Sequence, residues 1–201
     1  LSNNLISQPP AVAGWVEELS WSPDGESILL TVAGHGADQG SGQGAVPSQQ
    51  YSEQHPEWMP DVSAGDEGYR WRHLWIYEMA TRKLRKIPTQ EINVWEAVWC
   101  GNRAIVAITS DQPGEEAWYS ATLQHIHPHT GSAQSLYTPS DQIAYLCASP
   151  SGQTVALVSA ISSDRGVVAG DLLTIDINTQ TARRILSSQP PCCVPVIIFR
   201  S

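Results

Sequence analysis

Basic residues are scarce in this chain of 201 residues: 11 Lys plus Arg stand against 20 Asp plus Glu, giving a formal charge of -9. A surface of that sign repels a phosphate backbone, so no nucleic acid partner is expected. Long apolar runs are missing too. Nothing approaches the roughly 20 consecutive apolar residues that cross a bilayer, and no basic segment followed by an apolar one opens the chain, so no membrane partner is expected. The four cysteines, Cys100, Cys147, Cys192 and Cys193, show neither CxxC spacing nor the density of a disulfide framework. They read as free thiols of a reducing compartment, which makes a cytoplasmic location the expectation. No histidine lies near Cys192 and Cys193 to complete a zinc set, and no metal or other cofactor is expected. Helical periodicity is nowhere sustained.

What the chain does have is an internal repeat. Leu74-Trp75-Ile76-Tyr77-Glu78-Met79-Ala80-Thr81 has counterparts at 123–130 and 172–179, each step 49 residues long. Ten residues after Tyr77, Ile126 and Ile175 come Ile87, Leu136 and Ile185, in the same register. Upstream of the copies stand Ser22-Pro23-Asp24-Gly25, Cys100-Gly101-Asn102 and Ser149-Pro150-Ser151-Gly152. Pro at the second position and Gly at the fourth suit a type I turn between strands.

Each unit reads as four short strands rich in Val, Ile, Thr, Trp and Tyr. They run over 15–21, 26–33, 72–79 and 82–88, then 95–100, 103–109, 117–127 and 132–138, then 142–148, 153–160, 170–177 and 181–187. In Ile28 to Val32 and in Thr154 to Val158, apolar residues occupy both parities, as strands covered on both faces require. A four-stranded unit at this period predicts an all-β fold, a partial β-propeller of three antiparallel blades. The expected organisation is an N-terminal extension 1–14, a first blade 15–88 with a long insertion 34–72, a second blade 89–138 and a third 139–187. A deviant tail or the start of a fourth blade follows at 188–201. Three blades fall short of the about four to eight that close a ring, so open blade edges invite self-association.

Candidate functional residues cluster by topology. In an up-and-down meander, the loops between second and third strands share one end with the connections between blades. The insertion lies there, and its aromatic and acidic part makes Trp58, Asp66, Glu67 and Trp71 candidates for a partner-facing loop. The loop 111–116 shares that end. Glu115 and Glu116 beside Trp118 and Tyr119 read either as a clamp for a substrate ammonium or as a solvated acidic loop. His125, His127 and His129 form an HxHxH run whose members straddle a strand end and a turn, so they are not expected to converge on a metal. Trp21, Trp75, Trp95 and Trp99 occupy repeat positions and read as blade packing. No nucleophile elbow, P-loop or HExxH is present, so the chain by itself is not expected to catalyse a reaction.

Trp21-Ser22-Pro23-Asp24-Gly25, the run Leu74 to Thr81, Trp95-Glu96-Ala97-Val98-Trp99-Cys100-Gly101 and Ala169-Gly170-Asp171-Leu172-Leu173 together carry a resemblance. Over about 11–187 the chain resembles the N-terminal propeller of the prolyl oligopeptidase family of serine peptidases, in its dipeptidyl aminopeptidase or acylaminoacyl peptidase branch. The Ser-Pro-Asp-Gly and Leu-Trp-x-Tyr elements are shared with TolB-like propellers. The resemblance implies a propeller that gates access of small peptides to a C-terminal α/β-hydrolase domain, truncated here before that domain and its Ser, Asp and His triad. Because some members hold the substrate's free amino terminus with paired glutamates, it also implies Glu115 and Glu116 as amino-terminus-binding residues. The alternative is a stand-alone TolB-like interaction module that completes its ring by oligomerising or by binding a protein.

Overall fold

A computed structural model of the chain describes residues 10–34, 37, 71–162 and 169–187. Twelve strands make three four-stranded antiparallel sheets. The first holds β1 (Trp15–Trp21), β2 (Ser27–Ala33), β3 (Arg72–Glu78) and β4 (Lys83–Lys86), in chain order. The second holds β5 (Asn93–Cys100), β6 (Ala104–Ser110), β7 (Thr122–Ile126) and β8 (Ala133–Tyr137), with one helical turn, α1 (Glu115–Trp118), between β6 and β7. The third holds β9 (Gln142–Ala148), β10 (Thr154–Ala160), β11 (Asp171–Asp176) and β12 (Ala182–Leu186). The fold is a partial β-propeller of three blades. The N-terminal residues 1–9, nearly all of the insertion and the tail 188–201 lie outside the described residues, so the expectations for them stand apart from this fold.

The repeat is visible in the backbone as well as in the sequence. Arg82, Gly131 and Gln180 all have positive φ, at 55°, 69° and 56°, and they stand 49 residues apart in the turn between third and fourth strands. The residue opening that turn is an acceptor in every blade. The Glu78 carboxylate accepts the Thr81 hydroxyl at 2.9 Å. His127 Nδ1 accepts the backbone N–H groups of His129 and Thr130 at 3.2 Å each. Asp176 Oδ1 accepts those of Asn178 and Thr179 at 3.0 and 2.8 Å. At the other end, Gly25 and Gly152 donate to the carbonyls of Ser22 and Ser149 at 2.9 and 2.8 Å. Both glycines occupy the left-handed region, at φ of 73° and 69°, which a side chain would resist.

Every first strand carries a bulge at the same place, between Val16 and Glu18, between Val94 and Glu96, and opposite Ala156 to Val158. The bulge adds twist, which strands at the hub of a radial fold need. At the third, Tyr145 takes φ 57°, and the Glu96 carboxylate accepts the N–H groups of Tyr145 and Leu146 at 3.1 and 2.8 Å. The second blade is thereby latched to the third.

Burial follows the pleat. Alternate residues of β6 face opposite neighbours: Ile105 and Ala107 join Leu29, Leu74 and Ile76 of the first blade in one core. Val106 and Ile108 join Val155, Leu157 and Ile175 of the third blade in the other. Each fully buried Leu or Ile contributes about 1.5–3 kcal/mol, so two apolar interfaces hold the arc together.

One strand differs from its expectation. The segment 117–127 is not strand throughout: residues 115–118 turn as a helix and β7 begins only at Thr122. Ala117 N–H bonds the Gly114 carbonyl at 3.0 Å, and the helical turn drives Trp118, 3% exposed, into the core between second and third blades. Burying an indole outweighs the β propensity of Trp118 and Tyr119.

Candidate functional site

In each meander the loop after the second strand and the connection to the next blade leave from the same end, so blade topology gathers them. The neck of the insertion is closed there, where the Gly34 N–H bonds the Trp71 carbonyl at 3.1 Å. A loop whose ends are already paired can be long without disturbing its sheet, because closure entropy rises only slowly with length.

Immediately inside that neck sits Arg72, fully buried at the start of β3. Its Nε donates to Glu17 Oε2 at 2.7 Å and its Nη2 to Glu17 Oε1 at 3.2 Å, a two-pronged ion pair with the residue bulged out of β1. The guanidinium also lies 4.9 Å from the centre of the Trp95 ring. Its backbone N–H is taken by the Oδ1 of Asn93, which has no exposed surface, at 2.7 Å. Trp95 Nε1 then donates to Ser110 Oγ at 2.8 Å, and that hydroxyl donates to the Gln112 carbonyl at 2.7 Å. The chain of contacts runs from β1 through β3 and β5 to the loop after β6. It fixes the loop end of the first two blades as one rigid floor.

Above the floor opens a cleft of about 480 Å³ lined by Trp71, His73, Glu91, Asp111 and Gln112. That volume is in the range of small-molecule sites. Burial, with a smaller contribution from nearby Lys86, pushes the His73 imidazole down to about 4, so it is neutral at physiological pH. Two carboxylates, one aromatic wall and a neutral imidazole favour a small cationic or hydrogen-bond-donating group over an anion. Glu91 takes φ 35°, an uncommon conformation that aligns the connection between the blades.

The sequence-predicted residues are distributed unevenly around this cleft. Trp71 lines it. Trp58, Asp66 and Glu67 lie outside the described residues. Glu115 and Glu116 open α1 at the same end, Glu115 half-buried and Glu116 exposed, with the Glu116 carboxylate folded back over Gly114. Neighbouring residues on a helical turn point apart, so the two do not present one flat pair. Trp118 is core, while Tyr119 stays 36% exposed with its ring edge-on to Trp118 at 5.4 Å. In the histidine run, His127 caps its turn, and its ring centre lies 5.9 Å from that of His129. Trp95 and Trp99 are blade packing, at 4% and 8% exposure. Trp21, 52% exposed, and the half-buried Trp75 lie on the uncovered face of the first blade.

Sequence reasoning gave no role to Arg72 or Glu17, and it placed Asp111, Glu91 and Asn93 at this end only as members of a loop and a blade connection. The bulge of β1 places Glu17 against an arginine 55 residues away. No local pattern signals such a pair. A faint trace was available: a charged residue opens the third strand, ahead of the apolar run Leu74-Trp75-Ile76-Tyr77.

No known protein family and no curated protein matches the sequence. Among solved structures, TolB from Acinetobacter baumannii superposes on 89% of the chain with a TM-score of 0.51 and 16% identity. A prolyl endopeptidase does so over 87% with a TM-score of 0.54 and 13% identity, and puromycin hydrolase over 88% with 0.51 and 16%. The chain spans 34% of that TolB and 21% of each of the other two. At such identities the likeness is one of architecture: the chain is an arc of the β-propeller found both in TolB and in propeller-bearing peptidases.

Proposed function

We propose that this chain is the non-catalytic propeller part of a prolyl oligopeptidase-family serine exopeptidase, gating access of small peptides to a separate α/β-hydrolase domain. The observation that carries the reading is the cleft at the loop end, with Trp71, Glu91 and Asp111 on a floor held by the Arg72 network. A peptide's free ammonium is the group that such a lining favours, and Glu115 at the same end extends the acidic rim. In this reading the insertion, with Trp58, Asp66, Glu67 and Trp71, faces the hydrolase domain.

The test is calorimetric titration of the chain with a short peptide bearing a free amino terminus and with its N-acetylated form. The free peptide is expected to bind at least about tenfold more tightly. Asp111→Asn and Glu115→Gln are each expected to erode that preference. Equal binding of both peptides would remove the amino-terminus role. A serine-directed fluorophosphonate is expected to leave the chain unlabelled, and stoichiometric labelling would place the nucleophile in this chain instead.

A second reading, a TolB-like protein-interaction module, is favoured by the apolar faces left open at the ends of the arc, where Leu19 and Leu186 are 64% and 63% exposed. It predicts stable protein association together with no peptide binding at the cleft.

A further inference from the structure

The outer strand of a propeller blade has an open edge whatever stands on the blade's two faces, because its sheet ends there. In the first blade that strand is β4, which among the described residues pairs with β3 alone. The Ile87 N–H donates inward to the Leu74 carbonyl at 2.8 Å. By the alternation of an antiparallel ladder, Lys83 and Arg85 also turn their backbone groups toward β3, while Leu84 and Lys86 turn theirs outward.

Positive charge gathers on the same strand. Arg82, Lys83, Arg85 and Lys86 are four of the 11 basic residues of a chain whose formal charge is -9. Arg85 is occupied: its Nη1 donates to the Pro128 carbonyl at 2.7 Å, and its Nε lies 3.6 Å from Glu78 Oε1. Arg82, Lys83 and Lys86 are exposed, and among the described residues no carboxylate pairs with them. Burial lowers the pKa of the Lys86 ammonium, so a counter-ion beside it replaces solvation that the fold removes. The other outer strands differ. β8 has no charged side chain, and in β12 Arg184 is already paired with Asp171 at 2.9 Å. Basic side chains are therefore not a general guard of these edges.

We propose that the outer edge of β4 binds an extended acidic peptide segment of a partner protein, which adds to the first blade as a fifth strand. Two observations select this occupant over another anion. The edge offers backbone donors and acceptors together, and a peptide main chain complements both, whereas a phosphate complements only the donors. The cations also flank the strand rather than fill it. Lys83 lies on the face of Arg85 and Lys86 on the face of Leu84, so the matching segment carries carboxylates three residues apart. Between them, apolar side chains suit the half-buried Leu84. The acidic surface elsewhere repels long polyanions. This inference stands independently of the peptidase reading.

The experiment is fluorescence anisotropy of the 201-residue chain with a labelled peptide, Thr-Glu-Val-Val-Glu-Thr. Its ends are acetylated and amidated, so it brings no free amino terminus to the cleft. Saturable binding is expected with a Kd of about 100 µM or tighter. The same peptide with Gln for both Glu is expected to bind the parent chain at least about tenfold more weakly. Lys83→Glu combined with Lys86→Glu alters exposed side chains, so circular dichroism is expected to match the parent while binding falls by a similar factor. A peptide of equal charge with every peptide nitrogen methylated is expected not to bind. Failure of the acidic peptide to bind the parent chain overturns the proposal, as does binding indifferent to the Gln exchange or to the lysine substitutions. Undiminished binding of the methylated peptide, or its equal displacement by inorganic tripolyphosphate, also overturns it, since either result means a patch that holds any anion.

Discussion

In β6 of the middle blade six of seven side chains are buried, whereas in β10 of the third blade burial alternates and only Val155 and Leu157 are fully inside. The two strands hold the same place in the same repeat. What separates them is company: β6 has a blade on each face and β10 on one. The first blade repeats the lesson in mirror image, with Leu29, Leu74 and Ile76 sealed on its far side and Trp21 and Leu19 in solvent on its near side. Apolar patterning therefore specifies a blade that expects two neighbours, and among the described residues the end blades of this arc have one each. The junctions differ as well. The first is pinned by the buried Arg72 and Glu17 pair beneath Trp95, the second by the Glu96 carboxylate on two backbone N–H groups.

The largest expected effect comes from breaking the first junction. Arg72→Ala leaves the Glu17 carboxylate without its buried partner and uncovers Trp95, so unfolding in urea is expected to show a loss of about 4 kcal/mol. Glu17→Gln with Arg72→Met is expected to recover part of it, because no charge is then stranded. Next is the contrast between middle and end. Leu123→Ala in the middle blade is expected to cost about 3 kcal/mol through a core cavity. Leu19→Ala on the open face of the first blade is expected to stay within about 0.5 kcal/mol in the dilute monomer. Equal losses would mean that the first blade is covered after all.

The short turns sharpen the comparison on a smaller scale. Gly25 and Gly152 share a left-handed backbone, but a Cβ at Gly25 meets nothing within 4 Å, while at Gly152 it lies 2.7 Å from the Gly101 backbone nitrogen. Gly25→Ala is expected to cost about 1 kcal/mol and Gly152→Ala about 2 kcal/mol, in thermal or urea unfolding. A pH effect on the first blade completes the comparison. The folded-state pKa of His73 lies at about 4, below the ordinary 6.5. Between those values the unfolded chain binds a proton that the folded chain refuses, so stability falls as pH drops from about 6.5 to about 4. His73→Gln is expected to flatten that part of the stability profile. An unchanged slope would mean that His73 is solvated in the folded state.

Much of the architecture was legible because it is written locally and three times over. Ser22 to Gly25 and Ser149 to Gly152 announce their turns by Pro and Gly spacing, and the structure closes both with the expected bond. Glu78, His127 and Asp176 look unrelated as residue types, yet each brings a short-range acceptor to the same turn. The repeat register thus exposed the histidine run as turn chemistry. Other features resisted. Arg82 and Gln180 share the left-handed position of Gly131 without its signature residue. Trp118 reads as a strand former and is buried from a helical turn. The cleft draws Trp71, Glu91 and Asp111 from three separate segments, and no spacing rule connects them.

Taken alone, the order of residues determined the strand count, the period, the meander and the end of each blade that bears the long loops, because turn geometry and pleat alternation are decided within a few neighbouring residues. Which faces are dry was decided only in three dimensions. Trp21 and Trp99 close the same motif at the same point of the repeat, and one is in solvent while the other is in a core. Burial is a property of what lies opposite, and that surface comes from a strand many residues away or from another molecule.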